Sequence, residues 1–264
     1  FMGYASLVVI QKKLYNQYES NNGGSLTDLE TEIFEHGTSL VYFGNLCFRL
    51  LHNVVFAKIT PRSRVVLSLI LIALSMSMLV FFYFIILSTW VGWTYIAYLL
   101  GGVAIGSFES NLLSTITPLG PDTKMWAIIG MPVGFTCISV VGYFLMGVFN
   151  ISVVFLYITT AIMGILAIAV WLIRIPIPNS YNTQDFKQFV NNLKLYKQWL
   201  PKIKWYALSL TVDMFMVSFW SAINQYILDG DKLPIFGSTD DHYINTNDFF
   251  SIYSIGTFIG DTAG

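Results

Sequence analysis

Residues 92–117, GWTYIAYLLGGVAIGSFESNLLSTIT, decide the fold: an apolar run punctuated by small residues carries one charged side chain, Glu109. An α-helix rises about 1.5 Å per residue and the hydrocarbon core of a bilayer is about 30 Å thick, so about 20 such residues cross it. The run is read as a spanning helix with a carboxylate in its interior. Further complete runs of this kind occupy approximately 38–57, 65–88, 125–147, 150–173 and 205–228. Partial ones, 1–11 and 249–264, sit at the ends and lead to the expectation that the sequence is a window onto a longer chain. Residues 1–11 lack the basic flank and cleavage site of a signal peptide and are read as the tail of a first span.

Composition agrees. Of 264 residues 55% are hydrophobic and 11% charged, against about 25% charged in soluble domains. So few charges cannot coat a water-soluble chain of this size, whereas a helix bundle in lipid needs no such coat. Lysine and arginine (14) nearly cancel aspartate and glutamate (15), leaving no basic face for nucleic acid. No metal-ligand spacing, Gly-rich strand-to-helix loop or nucleophile–base pair stands on any run, so no cofactor, metal or enzymatic activity is expected. Cys47 and Cys137 fall in apolar runs and read as small packing residues.

Loop charges test the spans independently, because cytosolic loops collect Lys and Arg. Lys58, Arg62 and Arg64 follow the second span, Lys124 the fourth, and Arg174, Lys187, Lys194, Lys197, Lys202 and Lys204 the sixth. The opposite loops carry Glu19, Asp28, Glu30, Glu32 and Glu35, and later Asp229, Asp231, Asp240, Asp241 and Asp248, with Lys12, Lys13 and Lys232 the basic residues there. The expected organisation is all-α: a first transmembrane half over 1–173, a cytosolic linker over 174–204 and the start of a second half over 205–264. In the linker Phe186, Phe189, Val190, Leu193, Tyr196 and Leu200 recur at helical spacing among lysines, the pattern of an interfacial amphipathic helix. A linker after six spans is the organisation of two-halved secondary transporters, and a plain solvated linker is the alternative.

Charges inside a bilayer cost about 2.5–3.5 kcal/mol each on insertion scales, so each needs a partner, a cavity or a purpose. Arg49, Glu109, Asp213 and Asp261 qualify, with His52 one turn from Arg49. Glu109 is a carboxylate placed to respond to protons, or a packing residue bonded to Asn111, Ser107 or another helix. Arg49 is its natural partner or an anion contact, since a guanidinium offers parallel hydrogen bonds, or else it snorkels toward the boundary at Lys58. Gly102-Val-Ala-Ile-Gly106 and Gly130-Met-Pro-Val-Gly134 are small-xxx-small pairs that permit close helix approach, with Pro132 a bending point.

Glu109 followed by Leu113-Ser114, then Trp126 and Gly130, resembles the fourth-to-fifth span segment of the battenin family. Tyr253-Ser-Ile-Gly256-Thr-Phe258-Ile-Gly260 is similar to that family's Tyr-Gln-x-Gly-Val-Phe-x-Ser run, and Tyr4, Arg49-Leu50-Leu51 and Pro61-Arg62 extend the likeness along the sequence. One position departs: Asp261 stands where the family has Arg, so that residue's role does not carry over. Asp261-Thr-Ala-Gly264 instead resembles the eighth span of equilibrative nucleoside transporters, whose fourth and fifth spans also look like 101–147. That family usually has Gln near the place of Glu109.

The battenin resemblance implies a major-facilitator-like bundle in endolysosomal or vacuolar membranes, associated with glycerophosphodiester export and with basic amino-acid and pH balance. The expectation is a proton-sensitive carrier of a small polar or anionic solute working by alternating access. Arg49, His52, Glu109, Asn111, Trp126, Asp213 and Asp261 would line the path, with lipid, solute and protons as partners. The alternatives are an equilibrative nucleoside transporter, or a non-transporting subunit of a larger membrane assembly in this or another organelle, mitochondria included.

Overall fold

The computed structural model describes residues 1–56, 58–149 and 151–174, with 190–191, 194–206, 208–209, 211–212, 232–234, 243–245, 249, 252, 255–256 and 259 beyond them. It divides into one unit of 1–183 with 251–264 and another of 184–250. In the first, the described elements are α1 (Met2–Val8), α2 (Gln11–Asn21), α3 (Asp28–Val55), α4 (Pro61–Leu79), α5 (Gly92–Ile116), α6 (Pro121–Thr136), α7 (Tyr143–Val148) and α8 (Val153–Arg174). A π-helical stretch, Val80–Ile85, extends α4, and another, Cys137–Gly142, joins α6 to α7.

Four stretches are long and apolar enough to cross a membrane: Pro61–Ile85, Gly92–Leu119, Pro121–Met146 and Val153–Arg174. The chain is thus a helical membrane protein. The run at 38–57 is the C-terminal part of the longer helix α3, whose first half carries Asp28, Glu30, Glu32 and Glu35. The segment read as the tail of a span does not end at 11. Helical backbone continues through Val9, and α2 carries the rod to Asn21.

Local sequence sets the helix starts. Thr27 begins α3 with a capping box: its hydroxyl accepts from Glu30 N (3.3 Å) while Thr27 N donates to the Glu30 carboxylate (2.9 Å). Thr60 caps α4 ahead of Pro61, whose missing N–H falls where no helical acceptor exists. Gly120, at φ 114°, makes the turn between the fifth-helix run and α6 that a side chain would strain.

The helices alternate in direction as the loop charges predict. At one end Arg62 donates to Leu172 O (3.0 Å) and Trp171 Nε1 to Arg62 O (3.3 Å), joining the start of α4 to the end of α8. At the other, Asn21 donates to Tyr83 O (2.9 Å), Tyr95 OH to Ile33 O (2.8 Å), and the Tyr83 and Thr94 hydroxyls meet at 2.6 Å. Asn21 and the Tyr83 hydroxyl thus satisfy backbone carbonyls around the π-helical end of α4 and the turn that follows it. Between the two ends lies a core that includes Leu7, Ile10, Val41, Ile72, Met76, Tyr83, Ala97, Tyr98 and Tyr157.

Glycines decide which helices touch. A Cβ on Gly102 would strike Val41 O and lie 3.0 Å from Leu40 O, and one on Gly106 would strike Asn45 O and lie 3.0 Å from Arg49 N. Gly44 answers from α3, its Cβ position 3.1 Å from Val103 N. The backbones of α3 and α5 therefore meet directly, as the 102/106 pair predicts. The 130/134 pair does not do the same: Gly130 has nothing within 4 Å of its Cβ position. Cys137 is exposed rather than packed, because its π-helical stretch buries Ile138 and Ser139 instead.

In the second unit, 196–206 is helical and continues past the expected linker boundary at 204, with Leu195, Trp199, Leu200 and Ile203 exposed. One short hairpin interrupts a structure that is otherwise helical among the described residues. Lys232–Pro234 pairs antiparallel with Tyr243–Asn245, Leu233 opposite Ile244. The rest of the 205–228 run, most of 249–264 and linker residues 175–189 lie outside the described residues.

Gly106→Ala is expected to cost about 1–3 kcal/mol by overpacking against backbone, whereas Gly130→Ala is neutral or gains about 0.5–1 kcal/mol in helix propensity. Thermal unfolding of the detergent-solubilised protein checks the contrast. Hydrogen bonds from the Thr27 backbone and hydroxyl hold the Glu30 carboxyl below its ordinary 4.5. The cap's contribution is therefore complete above that value and lost as pH falls through the lower folded one. Amide NMR resonances at Glu30 and Thr31, followed from about pH 6 to about pH 2, should show the start of α3 fraying with a midpoint below the ordinary value, and Glu30→Gln should abolish the transition.

Candidate functional site

The close approach of α3 and α5 brings Arg49 and Glu109 together. Arg49 Nη2 donates to Glu109 Oε2 in an ion pair between the two helices. Gly106 lies against Asn45 O and Arg49 N, so the glycine that removes the steric barrier sits beside the backbone of the arginine. The side chains remain 32% and 24% exposed, so the pair is neither sealed in the core nor out at a loop. Tyr4 on α1 and Tyr42 on α3 lie within electrostatic reach of each other, and the Tyr4 hydroxyl also feels both members of the pair.

A second polar layer lies one turn further along α3. Arg64, expected in a cytosolic loop, is instead 3% exposed. Its Nε donates to Ile59 O (2.8 Å) and its Nη1 to Asn53 Oδ1 (2.7 Å) and Asn111 Oδ1 (3.4 Å). Three neutral oxygens thus solvate a buried guanidinium and tie the ends of α3, α4 and α5 together. The physical reason is that Thr60 and Pro61 start α4 earlier than the apolar run suggests, which turns Arg64 inward on its first turn.

The other expected site residues divide. Asn111 is buried; its Nδ2 donates to Ser107 O (2.6 Å) and its side-chain oxygen faces Arg64, not Glu109. His52 is buried against its own helix, with Nδ1 3.0 Å from Phe48 O and 3.1 Å from Arg49 O. Two carbonyl acceptors require the proton on Nδ1 and leave Nε2 as acceptor. Trp126 is 68% exposed on α6, which buries none of its residues, and the structure does not bring it to the pair. Asp213 and Asp261 lie outside the described residues. Among the described residues no group of three His, Cys, Asp or Glu side chains gathers as for a metal.

The reading of single charges missed several neutral neighbours: Asn45, Asn53, Tyr4 and Tyr42. A signal existed. Asn45, Arg49 and Asn53 recur every fourth residue on α3, as Ser107, Asn111 and Thr115 do on α5, and such stripes put polar groups on one helix face. Among the described residues, Asn45 Oδ1, Arg49 Nε and Ser107 Oγ are buried with no hydrogen-bond partner. Each such atom costs about 1–3 kcal/mol.

Comparison with known protein families, with characterised proteins and with solved structures finds no match to this chain.

Arg49→Met and Glu109→Gln should each destabilise by about 1–3 kcal/mol, because removing one partner strands the other's charge between the two helices. The double variant should lose less than the sum of the two. A double-mutant cycle of thermal unfolding checks this, and strictly additive losses would mean the pair is not coupled.

Proposed function

We propose that this chain forms part of a membrane solute transporter working by alternating access, with the Arg49–Glu109 pair as its proton-sensitive polar centre. The observation that supports the reading is the partial exposure of an ion pair carried on α3 and α5 and otherwise surrounded by apolar helices. Charges at such depth are tolerated where they face a water-filled cavity or one another, and here the pairing leaves both side chains accessible. Protonation of Glu109 would cancel the pair and release Arg49, so a proton and a change in the α3–α5 contact are linked through one carboxylate.

The buried Arg64 layer supports a division of labour: α3, α4 and α5 are tied at one end by hydrogen bonds to neutral oxygens, while the pair one turn deeper is free to exchange partners. The battenin resemblance of 109–130 supports the same function class and suggests an endolysosomal or vacuolar membrane. Under this reading Asp213 and Asp261, outside the described residues, remain candidate charges of the second half that close or open the path.

The test is uptake by proteoliposomes containing the full-length protein, offered radiolabelled amino acids, glycerophosphodiesters and nucleosides across a pH series. One class should enter saturably with a pH-dependent rate, and Glu109→Gln should lower that rate at least about tenfold and flatten its pH profile. No uptake of any class, or a Glu109→Gln protein with unaltered rate and pH dependence, overturns the proposal.

A further inference from the structure

The unsatisfied atoms beside the ion pair specify what could open it. We infer that the Arg49–Glu109 centre recognises a zwitterion bearing both a carboxylate and an ammonium group, the chemical class of the free amino acids; the inference rests on the transporter reading and names its cargo.

Charge balance comes first. Arg49 and Glu109 neutralise each other, so a solute that inserts between them must replace both partners. A net anion would satisfy Arg49 and strand Glu109 beside a second negative charge, and a net cation would do the reverse. A zwitterion replaces both charges and leaves the site neutral throughout, so binding adds no net charge at membrane depth.

The unpartnered atoms then match the two ends. Arg49 Nε is a buried donor with no acceptor among the described residues, and Asn45 Oδ1, one turn earlier on α3, is a buried acceptor with no donor. A guanidinium that uses only Nη2 on Glu109 has its Nε edge left for a carboxylate, which accepts two parallel bonds when the pair parts. An ammonium has three donors, and Glu109 with Asn45 Oδ1 supplies two acceptors for them. A polyhydroxylated neutral solute would satisfy the same two atoms without splitting the pair, which makes it the discriminating competitor.

Thermal unfolding of the full-length detergent-solubilised protein reads binding without requiring transport. A mixture of the common L-amino acids should raise the unfolding temperature saturably. The corresponding amino-acid amides, which lack the carboxylate, and the corresponding 2-hydroxy acids, which lack the ammonium, should bind about tenfold or more weakly. Asn45→Ala should weaken binding of the mixture about tenfold, with an unfolding temperature in its absence no lower than that of the unaltered protein, because the truncation removes an unpartnered buried oxygen. If the Asn45→Ala protein does not fold, the comparison of the three ligand sets on the unaltered protein still decides. Equal stabilisation by the hydroxy acids, stabilisation by nucleosides or sugars instead, or no stabilisation by amino acids overturns the inference. Zwitterion binding without flux would sink the carrier and keep the recognition, whereas proton-dependent flux of an anion would keep the carrier and sink the recognition.

Discussion

The contact between the backbones of α3 and α5 is the constraint on which the rest of this unit depends. Gly44, Gly102 and Gly106 leave no side-chain layer between the two helices, so their separation is set by backbone atoms. That contact has two consequences. It buries the small-residue face of α5 without relying on the hydrophobic effect, which is weak between helices already in lipid. It also places the Arg49 guanidinium within reach of Glu109, so that neither charge enters the apolar region alone.

Around that contact the polar groups fall into layers with different accounts of their charge. At one end of the bundle, Tyr18, Asn21, Tyr83 and Thr94 satisfy carbonyls and hydroxyls around the end of α4 and the following turn, and the Tyr18 and Phe34 rings stack beneath them. In the middle the ion pair is neutral but incompletely hydrogen-bonded. At the other end Arg64 is charged but surrounded by amide oxygens of Asn53, Asn111 and Ile59. The middle layer combines partly exposed charge with three unsatisfied atoms, and a group whose bonds are incomplete loses less on changing partners than one whose bonds are full. This difference separates a region suited to rearrangement from regions that hold the helices in register.

Much of the fold was legible because membrane solvation makes strong demands on sequence. A spanning helix must be apolar for about 20 residues, so 65–88, 92–117, 125–147 and 150–173 announce themselves, and loop charges report their direction. The errors have specific causes. Thr27 and Thr60 caps moved helix starts upstream of the apolar runs, lengthening α3 and turning Arg64 inward. The Gly130/Gly134 spacing matches Gly102/Gly106, yet Gly130 faces open space, because spacing specifies a smooth helix face without specifying a partner. The strands at Lys232–Pro234 and Tyr243–Asn245 are too short to leave a periodic signature.

The sequence alone determined that this protein is a helical membrane protein with Arg49 and Glu109 in apolar runs, since composition and run length follow from what lipid will solvate. Only the tertiary structure decided that those two charges meet, that Arg64 is solvated by asparagine oxygens, that Trp126 stands apart, and which polar atoms are left without partners. Those facts depend on the rotation and separation of whole helices. A hydropathy pattern carries no information about either until glycine and side-chain contacts between distant segments fix them.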